Sequence, residues 1–354
     1  MRIVGAVGVA ALLTLLAGCG TPEQGAGKPA VQVKPAQGGR VFLAVDFEPG
    51  QVLRYKFTSQ KKITVDWDPN AAASTNHVQE QSESLEMVVA YTPLRVDPNG
   101  VSTIRASVES VKARRTGGPA SRSFGTDAVE TAQDKSFTLK VDSRGKLVDS
   151  SQLRFLIQEM GKHAFRPDTS VGRIKEPDMI WDFTASQWFL WDAQASVEMP
   201  AEGVAVGQTW SSQLCVPTPM VMRKARSVVY KLDEVRQNVA QPPSAGTGST
   251  PEGGGATGPL AVIRSTYTPA GSAPADWPIP YSGRMQMSGT FGFLLSYEVL
   301  GLEGTGEELF NLKAGRIEQR RETYTLRAKA GLPPMGIKAN PQITIEQTLT
   351  MELQ

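Results

Sequence analysis

The chain has 354 residues, with 37 lysines and arginines against 35 aspartates and glutamates, and only two cysteines. This balanced charge, without a long basic run, excludes the usual signature of nucleic-acid binding and of electrostatic attachment to a membrane surface. Hydrophobic residues make up 40% of the chain, which is enough for a packed core and excludes a wholly disordered protein.

The N-terminus predicts a secretory signal. Arg2 supplies the positive charge, and Ile3–Leu16 is an uncharged apolar stretch that is too short to remain as a transmembrane helix. The following Leu16-Ala17-Gly18-Cys19 resembles the lipobox of bacterial prolipoproteins. That resemblance implies that residues 1–18 are removed and that Cys19 is acylated with fatty acids such as palmitate. The alternative is an ordinary cleaved signal followed by an incidental cysteine.

An acylated Cys19 would anchor the protein to a membrane at the extracytoplasmic face of the bacterial cell envelope. Gly20 follows the cysteine, where some inner-membrane lipoproteins carry aspartate, so we expect the outer membrane rather than the inner one. Residues 19–39 are rich in Gly, Pro and Ala and show no apolar periodicity. They predict a flexible tether with a root-mean-square reach of about 25 Å.

From Val41 onward the dominant period is two, which predicts antiparallel β-strands. Two alternating runs flank Asp97-Pro98-Asn99-Gly100 and predict a hairpin, and another run turns at residues 142–145. The side chains expected to face the core share alternate positions: Leu53, Tyr55, Phe57, Ile104, Ala106, Val108, Phe137, Leu139 and Val141.

The second half repeats this order of elements. Gly50-Gln51 has a counterpart in Gly207-Gln208, Ile104-Arg105 in Ile263-Arg264, and the turn at Gly145 in the turn at Gly315. These matches predict two similar β-rich units, at residues 40–198 and 199–354, related by duplication. The alternative is that hairpins with glycine turns resemble one another by chance.

A Gly- and Pro-rich tract at residues 237–259 predicts a disordered insertion at one hairpin tip.

A helical connector is predicted at residues 150–195, at the end of the first unit and before the second. Asp149 can cap it, and apolar residues then recur at helical spacing, whereas three tryptophans fall within eleven residues further on. Packed on a curved sheet, these side chains either plug its open end or line an apolar groove for an acyl chain or a partner segment. The candidate groove residues are Leu153, Leu156, Ile157, Met160, Trp181, Trp188 and Trp191.

The segment Pro200–Trp210, together with the paired hairpins and the Gly-basic-aliphatic turns, resembles a family of uncharacterised bacterial lipoproteins. Proteins of that family carry a lipobox, a short tether and a two-part β-rich body. The resemblance therefore implies the location and the mainly β (α+β) architecture, and it carries over no activity and no functional residues.

No motif predicts catalysis, a cofactor or a metal site. Gly253-x-Gly255-x-x-Gly258 matches the dinucleotide fingerprint only by letter, because no strand-to-helix turn surrounds it. The two histidines, His77 and His163, lack partners at metal-ligand spacing. Cys215 has no partner if Cys19 carries lipid, so we expect it to be a buried thiol, with an intermolecular disulfide or a catalytic thiol as alternatives.

These observations predict a non-catalytic, lipid-anchored envelope protein that binds a hydrophobic ligand or another envelope component. Two alternatives stay open at this point. One is a structural or assembly subunit without a ligand, and the other is a hydrolase whose charged residues converge only in the folded chain.

Overall fold

The computed structural model describes residues 39–71, 77–117, 128–143, 145, 147–149, 151–153, 155–156, 200–215, 224–237, 258–272, 295–331 and 340–354. All of these residues belong to one unit. The strands, numbered in chain order, are β1 (Arg40–Val41), β2 (Leu53–Asp66), β3 (Val78–Val96), β4 (Ser102–Thr116), β5 (Ser136–Val141), β6 (Leu147–Asp149), β7 (Val204–Ala205), β8 (Thr209–Cys215), β9 (Lys224–Gln237), β10 (Pro259–Ser272), β11 (Leu295–Asn311), β12 (Arg316–Gly331) and β13 (Gln342–Leu353). A short 3-10 helix spans Ala128–Ala132.

Eleven of these strands form a single antiparallel sheet in the order β6-β5-β4-β3-β2-β13-β12-β11-β10-β9-β8, so the protein is mainly β, as predicted. Each half of the chain folds as a meander, because strands that follow one another in the chain are antiparallel neighbours in the sheet. The last strand, β13, then pairs with β2 along twelve residue pairs, from Leu353↔Tyr55 to Gln342↔Asp66. The two predicted β-rich units are therefore halves of one continuous sheet.

Equivalent turns open the two meanders. The N–H group of Gly50, at φ 85°, donates to the carbonyl of Pro93 over 2.9 Å. The N–H group of Gly207, at φ 86°, donates to the carbonyl of Leu232 over 2.7 Å. Both glycines adopt the left-handed backbone conformation that other residues rarely take. The two turns thus hold the starts of β2 and β8 against the next strand in the same way.

The strand registers of the two halves also agree. A β-bulge leaves one extra residue in β3, Leu94, next to the pair formed by Pro93 and Ile104. A β-bulge leaves Asp233 extra in β9, next to the pair formed by Leu232 and Ile263. The two halves therefore share strand order, turn geometry and bulge position.

Alternate side chains on every long strand are buried, which defines the inner face of the sheet, and the residues between them form the outer face. The predicted hairpin turns are confirmed: Gly100, Gly145 and Gly315 all have positive φ, at 81°, 81° and 57°. The predicted inward residues are also buried; these are Leu53, Tyr55, Phe57, Ile104, Ala106, Val108, Phe137, Leu139 and Val141.

Residues 40–50, called the strap here, run along one end of the sheet before β2 begins. β1 pairs with β7, and the N–H group of Asp46 donates to the carbonyl of Gly315 over 3.0 Å. Leu43 and Phe47 bury their side chains in the core. The strap therefore ties the segment before β8 to the turn between β11 and β12.

A helix begins after β6, where the sequence predicts the connector. The N–H group of Ser151 donates to the Asp149 carboxylate over 3.0 Å, and hydrogen bonds from the Ser151 N–H and hydroxyl lower the pKa of Asp149. Asp149 therefore caps the helix as predicted. Within the described ranges, no helix is long and apolar enough to cross a membrane.

Candidate functional site

The predicted apolar groove is described only at its first two residues. Leu153 is 1% exposed and belongs to the hydrophobic core, and Leu156 packs partly buried against that core. Ile157, Met160, Trp181, Trp188 and Trp191 lie outside the described residues, as do the predicted lipidation site Cys19, nearly all of the predicted tether, His163 and most of the predicted 237–259 insertion. The part of the groove formed by the last five candidate residues therefore stays a prediction.

A cluster of four buried charges lies on the inner face, and the sequence did not predict it. Arg320 of β12 lies between two carboxylates: its Nη1 is 3.7 Å from Glu308 Oε2, and its Nη2 contacts Glu322 Oε1. Arg226 of β9 approaches Glu322 Oε2 to 4.0 Å. All four side chains are at most 5% exposed, and their formal charges cancel.

Two glycines in β11 make room for this cluster. Arg226 and Glu322 lie on β9 and β12, and the intervening strands β10 and β11 separate them. The guanidinium of Arg226 stacks over the ring of Tyr267, 5.2 Å from its centroid. A Cβ atom at Gly304 would lie 2.2 Å from that ring, and one at Gly306 would lie 2.4 Å from the Ser265 hydroxyl. Side chains from β10 therefore fill the space above β11.

Gly304→Ala tests this close approach. We expect it to lower the free energy of unfolding by about 1–3 kcal/mol, because the added methyl forces the Tyr267 ring out of its packed position. Urea unfolding followed by tryptophan fluorescence measures the change. Gly301→Ala on the same strand is the matched control: its Cβ would meet only the tip of Arg327, at 3.4 Å. Equal losses for both variants would contradict the packing described here.

Burial keeps two tyrosines beside the cluster neutral, and the neighbouring carboxylates keep Arg320 charged. It raises the pKa values of the Tyr230 and Tyr267 hydroxyls above their usual range. Burial lowers the pKa of Arg320, but Glu322 and Glu308 outweigh that effect and raise it overall. Neutral tyrosines and a charged arginine do not exchange protons near neutral pH. The geometry therefore fits an ion-pair network that helps to specify the packing of β9 to β12.

A second ionic group continues across the inner face. Lys61 Nζ lies 2.5 Å and Arg115 Nη1 lies 3.1 Å from the same oxygen of Glu83. These three residues are direct cross-strand neighbours on β2, β3 and β4. Gln347, opposite Lys61 on β13, donates to Ser59 Oγ over 2.7 Å and accepts from the Tyr324 hydroxyl. Polar groups thus form a belt across the otherwise apolar inner face.

The outer face carries a row of uncharged polar side chains that crosses six strands. Four threonines on four adjacent strands are direct cross-strand neighbours, and a glutamine and a serine extend their row. The hydroxyls of Thr323 and Thr348 are 3.4 Å apart. In sheet order from β10 to β3, the row consists of Thr266, Thr305, Thr323, Thr348, Gln60 and Ser84.

This row forms the floor of two adjacent hollows, together called the threonine groove. One hollow of about 660 Å³ includes Thr266, Thr305 and Thr323 in its lining. The other, of about 670 Å³, includes Thr323, Thr348, Gln60 and Ser84. Thr323 lines both hollows, so they meet at the middle of the sheet. Each volume is within the range of small-molecule binding sites.

Charged side chains of both signs border the groove. On the β10–β12 side, Arg264 Nε lies 3.6 Å from Glu307 Oε2, and Arg321 stands opposite Glu307. On the β2–β13 side, Lys62 Nζ lies 2.8 Å from Glu80 Oε1, and this contact raises the pKa of Lys62. Arg114 lies directly beyond Ser84, at the β4 end of the row.

The described part of the chain holds no group of three or more His, Cys, Asp and Glu side chains arranged to bind a metal ion. His77 lies with its Nε2 atom 3.5 Å from Asp66 Oδ1. Glu307 and Glu308, adjacent in sequence, face opposite sides of β11, so Glu307 is exposed and Glu308 is buried. Cys215 is the last residue of β8.

No protein-family model matches the chain, and no curated protein is detectably similar to it in sequence. Among solved structures, it is similar to a chain described as "Lipid-protein interactions in lipovitellin", with a TM-score of 0.42 and 12% sequence identity. The similarity covers 87% of this chain and 25% of the lipovitellin chain. This protein therefore spans about a quarter of that chain's length.

Proposed function

We propose that the protein is a non-catalytic, lipid-anchored envelope protein that binds another envelope component in the threonine groove. The observation that carries this proposal is the groove itself: six uncharged polar side chains in one row beneath two hollows that meet at Thr323. Exposed threonines are common on sheets, but an aligned row within a hollow presents hydroxyl groups that one extended ligand can reach together.

The inner face offers less to a polar partner. Its ionic groups are buried and bonded to one another, and the four charges around Arg320 sum to zero. Removing such groups from their partners to bind a ligand would leave uncompensated buried charges, at a cost of several kcal/mol. The outer groove, in contrast, presents solvated hydroxyl and amide groups that can exchange water for ligand.

Two double variants test the binding proposal. Thr305→Val/Thr323→Val removes two hydroxyls from the groove and keeps the branched shape of both side chains. Thr64→Val/Thr344→Val is the matched control, because these two threonines are cross-strand neighbours on the same face and line neither hollow. We expect a component captured from detergent-solubilised envelope by the wild type to be retained by the control and lost by the groove variant. Capture that is insensitive to both variants counts against the groove.

The anchor proposal rests on the sequence of residues 16–19. Intact-mass measurement of the native product should give a chain that starts at Cys19 and carries fatty-acyl mass. Cys19→Ser should remove that mass and release the protein from the membrane fraction. A native chain that keeps residues 1–18, or that carries an unmodified thiol at position 19, would contradict the proposal.

A hydrophobic ligand is the second candidate, and it rests on the apolar stripe and the three tryptophans predicted at residues 150–195. Leu153 and Leu156, the first two residues of that stripe, pack against the core, which is compatible with a groove and with a plug at the open end of the sheet. Native mass spectrometry of the purified protein would detect a co-purified lipid. Loss of that lipid in a Trp188→Ala variant, with Trp210→Ala as the control on β8, would support the predicted groove. A protein without bound lipid would favour the proposal based on the outer face.

A further inference from the structure

We infer that the ligand of the threonine groove is a linear, largely uncharged glycan that lies across the strands of the sheet. This inference rests on the proposed function and specifies the class of ligand that the groove would take. Four properties of the groove carry it: its direction relative to the strands, the chemistry of its floor, the balance of charge along its borders, and its length.

The groove crosses the strands instead of following one of them. Thr305, Thr323 and Thr348 belong to three neighbouring strands that are fully paired on both sides at these positions. Their backbone N–H and C=O groups are already used within the sheet. A peptide ligand gains much of its affinity by adding as a strand to a sheet edge, which is not available here. A ligand in the groove is therefore recognised by side chains alone.

The floor matches a chain that carries many hydroxyl groups. Each threonine or serine hydroxyl both donates and accepts hydrogen bonds, and the Gln60 amide does the same through separate atoms. Sugar hydroxyls have the same dual character, so the two surfaces can pair without leaving a donor facing a donor. An acyl chain would find few partners in the first hollow, where Leu309 is the one large apolar residue among the lining residues.

The charges along the borders nearly cancel, which disfavours a polyanion. The cations are Arg264, Arg321, Lys62 and Arg114, and the anions are Glu307, Glu346 and Glu80. Two of the cations are already paired, Arg264 with Glu307 and Lys62 with Glu80. Polyanion sites concentrate one sign of charge. Mixed carboxylate and guanidinium groups instead provide both acceptors and donors for sugar hydroxyls.

The dimensions also suit an extended polymer. Thr266 and Ser84 are separated by five strand-to-strand steps, or about 24 Å at the usual strand spacing. One sugar unit of an extended glycan is about as long as one such step. Each sugar can therefore face the floor residue of one strand, and the full groove would hold about five or six sugars.

The test uses the full-length, detergent-purified protein and five probes: an N-acetylglucosamine hexasaccharide, a glucose hexasaccharide, the two matching disaccharides, and polyglutamate. Isothermal titration calorimetry measures the affinity of each. We expect at least one hexasaccharide to bind, and its disaccharide to bind at least about tenfold more weakly. Thr305→Val/Thr323→Val should weaken binding about tenfold, because each lost hydrogen bond contributes about 0.5–1.5 kcal/mol. Thr64→Val/Thr344→Val should leave it unchanged.

Other outcomes separate this inference from the proposed function. If neither hexasaccharide binds, or if both bind equally well to the groove variant, the glycan inference is overturned. Polyglutamate binding that the groove variant abolishes would overturn it too, while supporting a binding function for the groove. If envelope capture is also insensitive to the groove variant, then both proposals are wrong. Matching thermal melting curves for the two double variants confirm that lost binding does not reflect unfolding.

Discussion

Glu322→Gln should lower the free energy of unfolding by about 3–5 kcal/mol, the usual cost of removing one partner from a buried ion pair. Glu322 is 1% exposed and contacts both Arg320 and Arg226. Without its charge, two buried guanidinium groups face the single carboxylate of Glu308. The two cations would then be poorly compensated in a part of the protein that water does not reach.

Urea unfolding curves measure this effect, with Glu307→Gln as the control. Glu307 is the sequence neighbour of Glu308 but lies on the outer face, where its contact with Arg264 is exposed. Its loss should change stability by less than about 1 kcal/mol. A second variant, Arg226→Met/Glu322→Leu, removes one cation and one anion together and should recover part of the lost stability. Equal effects of Glu322→Gln and Glu307→Gln would show that the cluster is not buried as described.

Gly315→Ala should lower the free energy of unfolding by about 2–5 kcal/mol, from two additive causes. Gly315 has φ 57°, a left-handed conformation that costs other residues about 1–2 kcal/mol. In addition, a Cβ atom there would lie 2.7 Å from the carbonyl oxygen of Ala44 and 2.7 Å from the backbone nitrogen of Asp46. These are strap atoms that cannot rotate away, so the strap would have to move from the β11–β12 turn.

Gly50→Ala separates the two causes. Gly50 has φ 85°, yet a Cβ atom there would have no neighbour within 4 Å, so its substitution measures the conformational cost alone. The excess loss in Gly315→Ala then measures the contact with the strap. Hydrogen exchange of the Asp46 amide, which donates to Gly315, should speed up in Gly315→Ala and stay slow in Gly50→Ala. Identical stabilities for the two variants would argue against a strap that packs on this turn.

The threonine groove is a candidate site that the sequence did not predict, and the reason is physical. The predicted apolar groove came from helical spacing within one segment, which is a local property. The threonine groove brings together Gln60 and Thr348, which are 288 positions apart in the chain but direct neighbours in the sheet. Alternating threonines are visible in β10, β12 and β13. Their alignment into one row depends on a strand register that no local pattern specifies.

The buried ion pairs were missed for a related reason. Three of the buried charges, on Lys61, Glu83 and Arg320, occupy inward positions of alternating strands. From sequence alone, a charged residue in a strand indicates a face exposed to water, because charged side chains are rarely buried without a partner. Lys61 pairs with Glu83 on the neighbouring strand, and Arg320 contacts Glu308 on β11 as well as Glu322 on its own strand. Arg226 reaches Glu322 across β10 and β11, where Gly304 and Gly306 carry no side chain. The glycines in β11 were the available signal, since glycine within a strand often marks a close approach of other groups.

The amino-acid sequence by itself determined the mainly β class, the hairpin turns at Gly100, Gly145 and Gly315, and which side chains of the first strands face the core. Turn residues and the alternation of buried and exposed side chains are local properties of a few neighbouring positions. They can therefore be recognised in the sequence before the fold is known. Only the tertiary structure decided that β13 pairs with β2, and thus that both halves share one sheet with a polar belt inside and a threonine groove outside. These features depend on contacts between distant segments, which form when burial of the whole inner face selects one register among many.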